Sequence, residues 1–167
     1  MTESILERRR IEAEFAKGLF ETLSAELGVD RARAILTKAI IKMAQQAGRS
    51  AAAVQEGPPD LADFAALLRF WTMNDALEID FLVREPQQLD FNVTRCRYAE
   101  IYREIGVGEL GAVLSCNRDG AFCEGYNPAI ALTRTQTIMG GASHCDFRYR
   151  LPAGGATDPI PGDPSAV

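Results

Sequence analysis

Two short runs carry the residue types that could do covalent chemistry: Cys116-Asn117-Arg118-Asp119 and His144-Cys145-Asp146. A thiolate attacks a carbonyl or amidine carbon, and it forms near neutral pH only beside a base or a positive charge. Asp119 lies three residues after Cys116, a spacing that puts both side chains on one face at a helix end. A carboxylate there can orient water or relay a proton. His144 is the only histidine, which removes HExxH and multi-histidine metal sites. It adjoins Cys145, but strand alternation points neighbours to opposite faces, so these two form no dyad. A dyad of Cys116 with His144 across the fold stays open. So does a metal held by Cys116 and Cys145, with or without His144, although the spacing matches no standard zinc knuckle.

Each of these residues also has a structural reading. Cys145 beside Phe147 reads as a small buried hydrophobe, and Cys96 between Arg95 and Arg97 as packing. Cys123 sits in a loop-like stretch without an evident partner. Asp119 before Gly120 is an ordinary turn residue, and His144 beside a hairpin loop can simply face solvent. On residue types alone, structure outweighs catalysis.

The elements that must position these residues follow from hydrophobic periodicity. Ser4-Ile5-Leu6-Glu7 is a capping-box pattern opening a helix with Ile11, Phe15, Leu19, Phe20, Leu23 and Leu27 on its apolar face. Gly28 reads as its left-handed cap. A second helix starts at Asp30, carries Ala34, Ile35, Ala39, Ile41 and Met43, and ends at Gly48. Asp60 caps a third, with Leu61, Phe64, Leu67, Leu68 and Trp71. These apolar faces are read as core.

The period then changes to two. Leu77, Ile79 and Phe81 alternate with acids, Arg84 to Gln88 turns, and Leu89, Phe91 and Val93 alternate again, which is a hairpin. Helices follow over 95–105 and 107–116, the latter running into a turn at Cys116 to Gly120. Residues 129–138 read as a strand, Met139 to Ser143 as a hairpin loop, and His144 to Leu151 as the returning strand. Its Cys145, Phe147, Tyr149 and Leu151 share one face; His144, Asp146, Arg148 and Arg150 share the other. The expected fold is α+β: N-terminal helices packed on a small antiparallel sheet with inserted helices. Residues 1–151 are expected to form one domain, and the Pro/Gly-rich 152–167 a disordered tail.

Composition bounds the class. The chain has 167 residues, 47% of them apolar, and a formal net charge of −5, which argues for a globular core and against a nucleic-acid partner. Membrane partnership is not expected either, since no apolar run approaches the roughly 20 residues of a span. The N-terminus carries no signal-peptide pattern, so a cytoplasmic location is expected, with the four cysteines as free thiols or ligands. Every basic residue after Lys42 is arginine. That suits bidentate contacts to a small acid, though codon usage alone explains it as well.

Three motifs in order carry a family resemblance: T-R-C-x-Y-A-E at Thr94–Glu100, C-x-x-D at Cys116–Asp119, and G-x-x-x-C-D-F at Gly141–Phe147. With the runs NVTRCRYAEIYREIGVGELGAVLSCNRD and TRTQTIMGGASHCDFRYR, the chain resembles the L-2-amino-thiazoline-4-carboxylic acid hydrolase family over about residues 5–151. The resemblance implies a hydrolase that opens a small cyclic amidine or amide at a C–N bond, the founding activity opening a thiazoline ring that bears a carboxylate. Carried onto this chain, it makes Cys116, Asp119, Cys145 and Asp146 the candidate polar centre. It makes Asn92, Thr94, Arg95 and Tyr98 the candidate pocket, with Arg95 or Arg134 holding a substrate carboxylate. The closing strands also resemble the end of 4-vinyl reductase domains, which are small-ligand pockets. Thr137 stands where some of those domains carry a zinc-binding cysteine.

These readings combine into one expectation. A small-molecule substrate is hydrolysed without metal or other cofactor, with Cys116 as nucleophile (Cys145 second) and Asp119 positioning water or acting as base. His144 or Asp146 protonates the leaving nitrogen, and backbone amides near Gly140-Gly141 hold an oxyanion. The competing expectation is a non-catalytic sensor or carrier with structural cysteines or bound zinc. A homodimer is the default assembly, because two-fold pairing is the commonest.

Overall fold

In a computed structural model, residues 4–153 are described. Most of the expected Pro/Gly-rich tail therefore lies outside the described residues. Ser4 opens α1 (Ile5–Leu27) by accepting from the Glu7 N–H at 3.2 Å. Gly28 joins it directly to α2 (Val29–Ala52), at φ 84° and ψ 154°. This is a positive-φ link that glycine adopts without strain, with ψ outside the left-handed helical well expected for a cap.

The buried faces of both helices are built from smaller residues than the pattern suggested. In α1, Leu6, Ala13 and Ala16 are buried, while Ile11, Phe15 and Leu19 are 50%, 75% and 43% exposed. In α2 the buried stripe is Ala32, Leu36, Ile40, Ala44 and Gly48, and Ile35 and Met43 are exposed. Gly48 does not end the helix. A Cβ there would stand 2.2 Å from the Phe122 carbonyl oxygen, and one on Gly125 would stand 2.0 Å from the Gln45 carbonyl oxygen. Two helices meet backbone to backbone at these glycines.

Asp60 caps α3 (Leu61–Thr72) by accepting from Ala62 and Asp63 N–H at 2.7 and 2.9 Å, and Asp63 returns the bond to Asp60. Such a box contributes about 1 kcal/mol. Leu61, Phe64 and Leu68 bury its inner face. The expected hairpin follows as β1 (Leu77–Glu85) and β2 (Gln88–Cys96), turned at Pro86-Gln87. Next comes α4 (Arg97–Glu104), whose Tyr98 hydroxyl donates to the Trp71 carbonyl at 3.0 Å.

The largest departure lies between 107 and 126. The expected helix is a short 3-10 turn at Gly108–Leu110 and a π-helical turn at Ala112–Cys116. The expected turn at Cys116 to Gly120 is the first part of α5 (Asn117–Tyr126). Cys123 is consequently a buried helical residue rather than a loop one.

The expected strand over 129–138 shrinks to β3 (Ala131–Thr133), and β4 runs Cys145–Arg150. The buried Asn127 shortens the start: its side chain donates to the Pro59 carbonyl and accepts from the Ala129 N–H, which turns the chain before Ile130. The sheet order is β1-β2-β4-β3, antiparallel throughout. Its inner face carries Leu89, Phe91, Val93, Cys145, Phe147 and Tyr149, with Phe91 opposite Phe147 and their rings stacked at 4.9 Å. The fold is α+β, as the periodicity indicated. One core cluster joins α1, α2 and α4, a second joins the sheet to α3 and α5, and Leu77 and Cys96 pack against both.

Candidate functional site

A cavity of about 170 Å³ lies where these two clusters meet. Phe64, Leu68 and Trp71 of α3, Ile79 of β1, Phe91 and Val93 of β2, Phe147 and Tyr149 of β4, and Phe122 of α5 form apolar walls. The polar lining comes from the π-turn and the start of α5, from Arg134 after β3, and from α1. Cys116 and Asp119 both line the cavity. The π-turn running straight into α5 keeps them one turn apart on one helical face, and such turns recur where a functional side chain must be aimed.

Arg134 ties this corner together. Its Nη1 donates to the Asp119 carboxylate, its Nη2 donates to the Cys116 carbonyl at 3.2 Å, and its guanidinium stands 5.1 Å from the Phe147 ring centre. Asp119 is 34% exposed at the side chain and lines the cavity. Burial pushes its carboxyl up to about 6, against the opposing pull of Arg134, Arg118 and Arg9. It stays ionised near neutral pH and is a stronger base than a surface aspartate.

The thiols are shifted away from reactivity. Burial, then the charge of Asp119, pushes Cys116 up to about 12. Burial pushes Cys96 up to about 11. Cys145 is also raised by burial, although its Sγ accepts from the Ile138 N–H at 3.2 Å. Reactive cysteines need the opposite environment. All four cysteines are free, and among the described residues no three His, Cys, Asp or Glu side chains are grouped to hold a metal ion.

Of the residues singled out from sequence, the cavity gathers Cys116, Asp119, Cys145, Tyr98 and Arg134. The others lie elsewhere. Asp146 accepts from the Thr135 N–H, the Thr135 hydroxyl and the Gln136 N–H, and His144 engages Gln136 and Ser143. Period two puts Asp146 opposite Cys145 and Phe147, on the far face of the sheet, and His144 precedes β4 and is not among the cavity-lining residues. Asn92 accepts from Arg148 on that same face. The Thr94 hydroxyl donates to the Glu78 carbonyl, and Arg95 pairs with Glu100 and Glu78. The Gly140 and Gly141 amides are spent on Thr137 and Ile138 within their own turn, so they offer no oxyanion hole.

Sequence reasoning missed three polar groups of the cavity: Ser115, Arg118 and Arg9. Arg118 lies inside the C-x-x-D motif, at one of its two unspecified positions. Arg9 belongs to the charged run that opens α1, which reads as a solvated surface.

An antiparallel sheet and helices walling a largely apolar cavity, with a partly buried Asp–Arg pair at its edge, define a cavity-bearing α+β protein. The chain belongs to the L-2-amino-thiazoline-4-carboxylic acid hydrolase family, whose model matches residues 8–149. No curated protein matches the chain. Among solved structures it is similar to the phenol-responsive sensory domain of the transcription activator PoxR with phenol. That similarity is 15% identity over 86% of this chain and 74% of that one, with a TM-score of 0.48.

Proposed function

We propose that this chain hydrolyses a C–N bond in a small cyclic amidine or amide, with Asp119 as the general base. The observation that carries the reading is the Asp119–Arg134 pair at the edge of a cavity whose walls are mainly apolar. A carboxylate held in place and raised to about 6 is ionised near neutral pH yet basic enough to take a proton in a transition state. The activity for which the family is named supports the reaction class. The volume supports the substrate size: an apolar cavity of about 150 Å³ accepts a benzene ring.

The proposed step is balanced within water and substrate. Asp119 takes a proton from water as the water oxygen bonds to the ring carbon. That proton passes to the ring nitrogen as the C–N bond breaks, and Asp119 returns to its ionised form. Arg134 orients the carboxylate through the whole cycle. Cys116, protonated and half-buried, is cavity wall here rather than nucleophile.

The test is turnover of 2-amino-thiazoline-4-carboxylate and of simple cyclic imides, followed by mass spectrometry of the product. A product that gains one water and carries a new free amine supports the proposal, and a new free thiol would instead mark opening at the C–S bond and overturn the C–N assignment. Saturable binding with no product overturns it in favour of a carrier or sensor.

A further inference from the structure

We propose that Arg9 and Arg118 form an anion subsite inside the cavity that holds the carboxylate of a ring-bearing substrate. The inference deepens the hydrolase reading and rests on it for the nature of the ring. Both arginines line the cavity, and their side chains are only 15% and 18% exposed. They come from elements far apart in the chain, α1 and α5, and converge on one carboxylate, Glu12. Arg9 Nη1 and Arg118 Nη2 share the same Glu12 oxygen, the second at 3.4 Å, while the other oxygen takes the exposed Arg8.

The charge does not balance. Two mostly buried guanidiniums face one carboxylate, an excess of positive charge that a bound anion would offset. A guanidinium offers five N–H donors. Arg9 spends one nitrogen on Glu12. Arg118 spends Nε on the Leu114 carbonyl at 2.7 Å and Nη2 on Glu12. Among the described residues, Arg9 Nε and Nη2 and Arg118 Nη1 have no protein acceptor, and none of the three is sealed from solvent, so an entering anion can reach them. Like-charge pressure is visible as well: burial and then Arg9 lower the pKa of Arg118. A bound anion would relieve both the charge and the idle donors.

The alternatives are occupied. Arg134 is committed to Asp119 and the Cys116 carbonyl, and Arg95 pairs with Glu100 and Glu78 away from the cavity. Arg118 precedes Asp119 directly in α5, and both Arg9 and Arg118 act electrostatically on the Asp119 carboxyl. A ring whose carboxylate sits on these two arginines would lie against the cavity wall within reach of Asp119.

The experiment compares two probes that differ only in the carboxylate, 2-amino-thiazoline-4-carboxylate and 2-amino-thiazoline. Their Kd values are measured on the wild type, Arg9→Gln, Arg118→Gln and the charge-retaining Arg9→Lys and Arg118→Lys. A charge-assisted contact of roughly 1.5–3 kcal/mol corresponds to about a tenfold to hundredfold preference of the wild type for the carboxylate probe. Each Gln variant should lose most of that preference, binding the carboxylate probe more weakly and the carboxylate-free probe no more weakly than the wild type does, with the Lys variants intermediate. If the Gln variants do not fold, the Lys pair carries the test through its reduced preference. Equal affinity of the wild type for both probes overturns the subsite, whether or not the ring is opened. A carboxylate preference without turnover keeps the subsite and overturns the hydrolase reading instead.

Discussion

Arg134 holds the Asp119 carboxylate with one arm of its guanidinium and the Cys116 carbonyl with the other. One side chain from the loop after β3 thus fixes the spacing of the C-x-x-D motif from outside its helix. Arg134 also offsets part of the burial that raises Asp119.

The pH dependence follows from that balance. Asp119 must be ionised to act as base, so kcat/KM should rise with pH through about 6 and level off above it. Removing the largest opposing pull, as in Arg134→Gln, should move the midpoint upward and lower the rate near neutral pH. Arg134→Lys should keep the midpoint closer to the wild type while losing the clamp on Cys116. Rate profiles of the three proteins check this; identical midpoints would show that Arg134 does not act on Asp119.

The thiols give a second prediction. With Cys116 up to about 12 and Cys96 up to about 11, alkylation of the folded protein at mildly alkaline pH should be far slower than in urea. Cys116→Ser should retain turnover within a few-fold. A fast-reacting cysteine in the native state, or a covalent substrate adduct on Cys116, would restore the thiol mechanism.

The contact between α2 and α5 gives a third. Gly48→Ala and Gly125→Ala each drive a methyl group into opposing backbone, so each should destabilise by about 1–3 kcal/mol or more. Gly111→Ala meets the Met139 side chain, which can move, and should cost less. Gly18 has open space around it inside α1, and Gly18→Ala should stabilise by up to about 1 kcal/mol. Denaturant midpoints rank the four. A Gly48→Ala midpoint equal to that of the wild type would contradict the close approach.

Much of this architecture was legible in the sequence, for definite reasons. Alternation at Cys145, Phe147 and Tyr149 reports a strand face directly, and β4 buries those three side chains. Asp60 announced α3 because a capping box is a local interaction. Gly48 misled because its meaning lies in a helix about eighty residues away, whose backbone it touches. The C-x-x-D motif pointed to the right corner of the cavity, although its surroundings were read as a turn. Arg9 was illegible: a charged residue at a helix start looks solvated until the cavity behind it is known.

The central claim is that Asp119 is the base. Asp119→Asn keeps an oxygen for Arg134 to bind, so the variant should fold and bind 2-amino-thiazoline-4-carboxylate with nearly the affinity of the wild type. Its kcat, measured beside that Kd, should fall by roughly 10²–10⁴-fold, the usual worth of a general base. Turnover by a folded Asp119→Asn protein at the rate of the wild type would contradict the account.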